Sequence, residues 1–537
     1  MPIPIVDTYP LILYIGCSPF FVILLCLLAA NMMERPDYDA LAQDINLEDI
    51  TSCERNTNIL RILRDGDPNW NKRLYIMNEE DEEADPDEDF LVREGDDLGW
   101  LGYFIGKSEV IKFLHTNYYF PEGGDNYFFD GMSQNRSITY LAMHARISVD
   151  SWISLGRFLG NTHNLSHLEF QGIMIGHEDA QNLATALGRI HHNSLKRLSM
   201  DQCEIGDEGL AEIATPLRSH PQLTVLQLFG NNIGRDGCVA LGNTLSSWPH
   251  SNKLQILNIT GNAIDDGGLH ALVSGMMNCR SLKNLSLGGN RSITGTGFRS
   301  LSPLLQSEAH SLEYLSLYDI NFGNDGAMAL AEGLKGNKFL KGLSFDVETA
   351  GITTIGWSAF SRLLCDTSTI NTTYLSNHTL TRIGCYNNEG TPQRIRIRLS
   401  INNYSDRDAA ICKILRSHPD LDMEPFFKLN MQFLPAVMCW IDRVERKSME
   451  STRGSQSRKL SALYKFVRAM PDLTSIGYWE GRMIHIEAKR RRIADERRRL
   501  DDEERRLECE EKVTLERLGD RPMDGDEVNR NKRMRHE

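Results

Sequence analysis

At 537 residues, with 41% hydrophobic and 25% charged side chains, the chain has room for several ordinary domains or for one extended array with solvated flanks. Its net charge of -14 is unevenly placed: the twelve acids between Glu79 and Asp97 face only Arg93, a local balance of -11, so the remaining residues are close to neutral. That balance excludes a broad basic field for nonspecific nucleic-acid binding, and the eleven cysteines contain no CxxC pair, which excludes the usual zinc and redox motifs.

The odd, dispersed cysteines read as reduced thiols and favour a cytoplasmic or nuclear setting for the main body of the chain. Residues 1–33 form a first region, because Tyr9 to Ala30 is uncharged and mostly apolar. Its 22 residues suffice to span a membrane, although Pro10, Gly16 and Pro19 interrupt them. A translation start at Met32 or Met33 and a signal peptide are the other readings; no Lys or Arg precedes the apolar stretch, which weighs against the latter.

Residues 34–110 read as an N-terminal cap, with a short helix, a turn and a strand in TNILRILRDGDPNWNKRLYI and a further contribution from DDLGWLGYFIGKS. The acidic stretch 78–97 inside it is expected to be a solvated, disordered insert, with docking of a basic partner as the sharper reading.

Residues 111–392 carry the dominant signal, a repeating unit. LTVLQLFGNNI from Leu223 recurs as LQILNITGNAI from Leu254 and LKNLSLGGN from Leu282, with weaker copies from Leu165, Leu195, Leu312 and Leu340. The period-two half of each unit predicts a short strand with one buried face, and the Asn at its end is expected to hydrogen-bond turn backbone in a ladder. Cys203 takes that place in one copy, while Ile320 and Glu348 break the ladder. A glycine follows the closing apolar residue by four positions at Gly209, Gly237, Gly268, Gly297 and Gly326, suiting a tight turn or close packing. Apolar residues then recur at helical spacing, as in Leu210, Ile213 and Leu217. Ile111 with Leu114 and Ile138 with Leu141 extend the array forward, and Leu380, Ile383, Cys385 and Asn388 extend it backward, for about ten units. Eight glycosylation sequons occur, but Asn258 and Asn284 fall within predicted strands and read as incidental.

Residues 393–482 are predicted to be a helical C-terminal cap, built from DAAICKILRSH, FLPAVMCWIDRV and KLSALYKFVRAMPDL. Residues 483–537 form a charged helix and a mixed basic and acidic tail. Ile486, Ile493, Leu500 and Leu507 recur every seven residues, so a solvated single helix and a coiled coil are both open. KRRR and NKRMR resemble nuclear-import signals but sit among acids, as a solvated face would.

The pattern LxxLxLxxN, a glycine and a full helix resembles the ribonuclease-inhibitor-like leucine-rich-repeat superfamily. INTTYLSNHTL and LSALYKFVRAMP also resemble segments of uncharacterised repeat proteins of unicellular algae. The resemblance implies an α/β solenoid, a curved horseshoe with parallel strands on the concave face and helices on the convex face. It implies binding rather than catalysis. No phosphate loop, HExxH helix, GxSxG elbow or dinucleotide fingerprint occurs, so no cofactor, metal or catalytic residue is assigned. The unburied strand positions then form the expected contact surface: Glu169, Gln171, Arg197, Asp201, Gln227, Phe229, Ile256, Asn258, Tyr314, Tyr318 and Asp346. His167 belongs there as a contact residue rather than a base. The first functional expectation is a non-catalytic protein-binding scaffold with a protein partner and no nucleic acid. A regulator of an enzyme is the alternative. The Ran GTPase-activating protein has similar repeats and an acidic run, although its run follows the repeats. A membrane-tethered receptor-like protein depends on residues 9–30 alone.

Overall fold

The computed structural model describes residues 37–78, 88–93, 97–118, 124–144, 148–191, 194–385, 390–418 and Arg498. The apolar segment 9–30, the predicted cap helices beyond residue 418 and the charged C-terminal helix lie outside the described residues, save Arg498. Among the described residues no helix is long and apolar enough to cross a membrane. The chain divides into two compact units, Met1–Ala410 and Ile411–Glu537, and the first holds the sheet.

That sheet has twelve parallel strands and is open, with strand order β12-β11-β10-β9-β8-β7-β6-β5-β4-β3-β1-β2. In chain order the strands are β1 Arg73–Asn78, β2 Asp89–Val92, β3 Phe113–Thr116, β4 Tyr140–Met143, β5 His167–Gln171 and β6 Arg197–Asp201. They continue as β7 Val225–Gln227, β8 Ile256–Asn258, β9 Asn284–Ser286, β10 Tyr314–Ser316, β11 Gly342–Ser344 and β12 Arg382–Ile383. Parallel neighbours need a crossover, and from β3 onward each crossover carries a helix, such as Gly206–Leu217, Arg235–Ser247 and Asp266–Met276. This is an α/β leucine-rich-repeat solenoid.

One leucine per strand sets the register. Leu74, Leu114, Leu141, Leu168 and Leu198 pair in succession across β1 and β3–β6. Leu226, Leu257, Leu285, Leu315, Leu343 and Ile383 continue the column across β7–β12. All are 0–1% exposed. Burying each stabilises the fold by about 2 kcal/mol, and a one-residue slip would turn the whole column outward.

The asparagine ladder is present in the central repeats. Asn231 Oδ1 accepts the Cys203 amide, Asn262 Oδ1 accepts those of Asn231 and Ile233, and Asn290 Oδ1 accepts that of Ile264. Each amide group also donates backward, Asn262 to Leu228 O at 2.8 Å and Asn290 to Ile259 O at 3.0 Å. Cys203 packs fully buried, its Sγ donating weakly to the Phe170 and Asp201 carbonyls, and burial pushes its thiol pKa up to about 12. Ile320 fills its place with an apolar side chain at 0% exposure.

A second polar ladder, not read from the sequence, lies where helices hand over to strands. Asn135 donates to the Ile105 and Ser108 carbonyls, Asn337 to Leu305 O and Asn377 to Leu334 O. His220 bonds Leu187 O at 3.0 Å in the same way.

The five predicted glycines serve close packing, and none has a positive φ. A Cβ on Gly237 would lie 2.9 Å from Ile233 Cγ2, and one on Gly326 would lie 2.6 Å from Phe322 Cβ. The turn itself uses other glycines, Gly230, Gly261 and Gly289, at φ of 69°, 70° and 70°. Gln202 and Asp319 adopt the same left-handed conformation in their own repeats, at 57° and 56°.

One expectation is corrected and two details are added. The stretch 78–97 is not wholly a disordered insert, because Asp89–Val92 is a buried strand paired with β1. Phe90, Leu91 and Val92 supply apolar surface that the surrounding acids mask in a charge count. Within the region read as the N-terminal cap, β1 and β2 join the sheet and bring it to twelve strands against about ten repeats read. Finally, the helix after β9 breaks into Gly295–Arg299 and Ser302–Gln306, because Pro303 cannot donate to the Arg299 carbonyl. Of DAAICKILRSH, Asp408 to Ser417 is helical, as part of Asp406–Ser417.

Candidate partner-binding face

On each strand the residues before and after the register leucine emerge on the face away from the helices, where they are mostly half-buried. Parallel pairing lines these residues up in rows across the sheet. The leading row reads Arg73, Phe113, Tyr140, His167, Arg197, Val225, Ile256, Asn284, Tyr314, Gly342 and Arg382. The middle row brings Glu169, Ser199, Gln227, Asn258, Ser286, Ser316 and Ser344 together in register. Gln171 pairs with Asp201 in a trailing row, and Phe229, Tyr318 and Asp346 take the corresponding places beyond β7, β10 and β11.

The predicted contact residues therefore share one surface but not one cluster. Arg197 donates to Gln227 Oε1 at 2.8 Å. Asp201 Oδ1 accepts the Phe229 amide at 3.0 Å and Ser199 Oγ donates to its other oxygen, while burial raises its carboxyl pKa. The Phe229 ring lies against the Gly261 backbone, which has no Cβ to oppose it. Tyr314 rests on Gly342 with the Arg382 guanidinium 5.3 Å above its ring. Tyr318 is exposed, at 39%, as is Gln171. Asn258 turns its Oδ1 back to the Thr260 amide, and both Asn258 and Asn284 are half-buried strand residues.

An aromatic group at the other end of the sheet was missed. Tyr75, Phe113, Tyr140 and His167 form a continuous stack, with successive ring centroids 5.2, 4.5 and 5.3 Å apart. Arg73 lies 5.7 Å above Phe113. His115 meets His144 edge-on at 4.4 Å. Tyr140 donates its hydroxyl to Glu169 Oε2 at 2.6 Å, and burial followed by that bond raises its pKa. Burial lowers the His115 pKa to about 4, assisted by His144 and opposed by Glu169, and it lowers those of His144 and His167 as well. The signal was available: RLYIMN, FLHT and YLAM each flank a buried leucine with outward residues, but they lack the Asn and Gly that mark the better repeats.

Charge is also sorted across the face. The two positions ahead of each register leucine carry Lys72, Arg73, Lys112, Lys196, Arg197, Lys283, Lys341 and Arg382 against Glu313 alone. Lys341 and Lys283 reach Glu313 at 2.7 and 3.7 Å. At the trailing end stand Asp201, Asp319 and Asp346, of which Asp319 is paired with Arg291 at 2.8 Å. Among the described residues no group of three His, Cys, Asp or Glu side chains is placed to hold a metal ion.

Residues 191–214, 219–242 and 250–273 match the family model described as Leucine Rich repeat. The chain is 28% identical over 221 residues to NACHT, LRR and PYD domains-containing protein 5 of Mus musculus, covering 41% of this chain and 18% of that protein. It is 31% identical over 159 residues to protein 13 of the same series in Homo sapiens, covering 29% and 14%. Protein 3 of Homo sapiens is 33% identical over 159 residues, again 29% and 14%. The chain thus spans less than a fifth of these relatives' lengths. Among solved structures it is similar to a chain in the crystal structure of the Rad7 and Elc1 complex in yeast, with a TM-score of 0.36 and 16% identity over 49% of this chain and 62% of that one.

Proposed function

We propose that this chain is a non-catalytic, protein-binding scaffold that grips its partner on the open face of the repeat sheet, in a cytoplasmic or nuclear setting. The observation that carries the reading is the ordered surface itself. Eleven register-locked strands hold aromatic, charged and amide side chains half-exposed in rows, on a framework fixed by buried leucines. Preorganised aromatic and arginine side chains are the usual anchors of protein interfaces. The unit of a short strand and a full helix supports placement in the ribonuclease-inhibitor-like branch. The relatives' names, which join LRR to NACHT and PYD domains, support a subordinate reading in which binding regulates an enzyme.

The test is affinity capture with the chain from Met33, beside a Phe229→Lys, Tyr314→Lys, Tyr318→Lys variant. Loss of a stoichiometric protein from the variant alone, with its fold intact by circular dichroism, places the partner on the central and later strands. Retention by both removes those residues from the site. Acceleration of GTP hydrolysis by a small GTPase would favour the regulator reading instead. Membrane fractionation of the full chain checks the receptor-like alternative.

A further inference from the structure

We propose that the leading edge of β1 and β3–β6 is the docking site for an acidic peptide segment of a partner protein, with apolar side chains between its acids. The inference rests on the protein-binding reading and names the partner's chemistry. In register across these five strands the leading row reads Arg73, Phe113, Tyr140, His167 and Arg197, a stack of rings with a guanidinium at each end. Four strand gaps separate the two arginines by about 19 Å, the length of roughly six residues of extended chain. Carboxylates at that separation would meet both arginines while the side chains between them lie on the rings.

Three further observations point the same way. No described carboxylate forms an ion pair with Arg73, Lys112 or Arg197, so their charge is available. The Tyr140 ring is held in place through its hydroxyl bond to Glu169, which presents the stack already ordered. Lys112 also lines a cavity of about 590 Å³, together with Lys107, Arg136, Ser108 and one carboxylate, Glu109. Ser108 is 4% exposed, and its buried Oγ lacks a hydrogen-bond partner.

A nucleic acid fits the same edge less well. Along β6 the basic Lys196 and the acidic Asp201 stand about 17 Å apart, so a duplex would straddle both columns and be repelled at the trailing one.

The test uses the full chain and a fluorescein-labelled peptide, Asp-Asp-Leu-Phe-Leu-Val-Asp-Asp, read by fluorescence anisotropy. Binding should fall with added salt and weaken at least about tenfold in an Arg73→Glu, Lys112→Glu, Arg197→Glu variant. The corresponding variant with arginine and lysine exchanged should keep most of the affinity, and Tyr140→Ala should lose about tenfold. If Tyr140→Ala unfolds, the charge variants decide alone, since their side chains lie outside the core. The proposal is overturned if the peptide binds no tighter than its serine-for-aspartate analogue, or if charge reversal leaves binding unchanged. Displacement by an equal concentration of a thymidine oligonucleotide would transfer the edge to nucleic acid. A partner protein still captured by the charge-reversed chain sinks this inference and leaves the scaffold reading standing.

Discussion

The strands β6–β9 share one register and one leucine column with β1 and β3–β5, yet the two regions are finished differently. Around β6–β9 the strand ends are closed by asparagine side chains that pass hydrogen bonds from repeat to repeat. Around β1–β5 no such relay occurs among the described residues, and the described outer face carries stacked rings and histidines instead. Burying one leucine per strand is enough to place a strand in the sheet. The asparagine and glycine signature adds stability at the strand ends but is not needed for the architecture. Where the signature lapses, the described face carries a run of aromatic and histidine rings.

The largest separation between the two regions should come from Asn262→Ala. It leaves the buried Asn231 and Ile233 amides without their acceptor, at about 3 kcal/mol for the pair. Urea unfolding should show that loss, and hydrogen exchange should accelerate at those amides more than at Leu114 or Leu141. Uniform acceleration across both regions would mean that they do not differ in this way.

The β1–β5 region should instead respond to acid. His115 has its pKa lowered to about 4 from an ordinary 6.5, so the unfolded chain takes up the proton first. Its effect on stability is absent above the unfolded value and becomes a loss as pH falls from 6.5 towards 4. We expect about 1–2 kcal/mol from this half-buried group, with the same sign from His144 and His167. The melting temperature of His115→Phe should therefore fall less than that of the wild type between about pH 7 and pH 5. Parallel pH profiles would remove His115 from the account.

The smallest effect concerns the border between the regions. Gln202 occupies a left-handed position that glycine fills in the next repeats, so Gln202→Gly should stabilise by about 0.5–1 kcal/mol. A lower denaturation midpoint would show that its side-chain packing against Gly230 outweighs the backbone strain.

The sequence made the repeat architecture legible because leucine spacing and strand burial are the same fact seen twice. β2 was hidden because Phe90, Leu91 and Val92 sit among acids, and composition over a window averages the two. The candidate surface was only half legible. Phe229, Tyr314 and Tyr318 were read from the leucines of well-marked repeats; Phe113 and Tyr140 flank Leu114 and Leu141 in copies recognised only by their apolar positions, and Tyr75 lies in the stretch read as the cap. Charge sorting was invisible for another reason. Its eight bases lie in six separate strands or the residues leading into them, and only parallel pairing assembles them into an edge.

The asparagine relay also makes neighbouring repeats thermodynamic dependants of one another. Opening the repeat of β8 strips acceptors from the turn of β7, so the linked repeats should melt as a block rather than singly. Asn290 is the last asparagine in the run, and Ile320 contributes no acceptor to the turn before it. That junction is a built-in fracture line: under strain the array should part there first, shedding its later repeats while the asparagine-linked block persists.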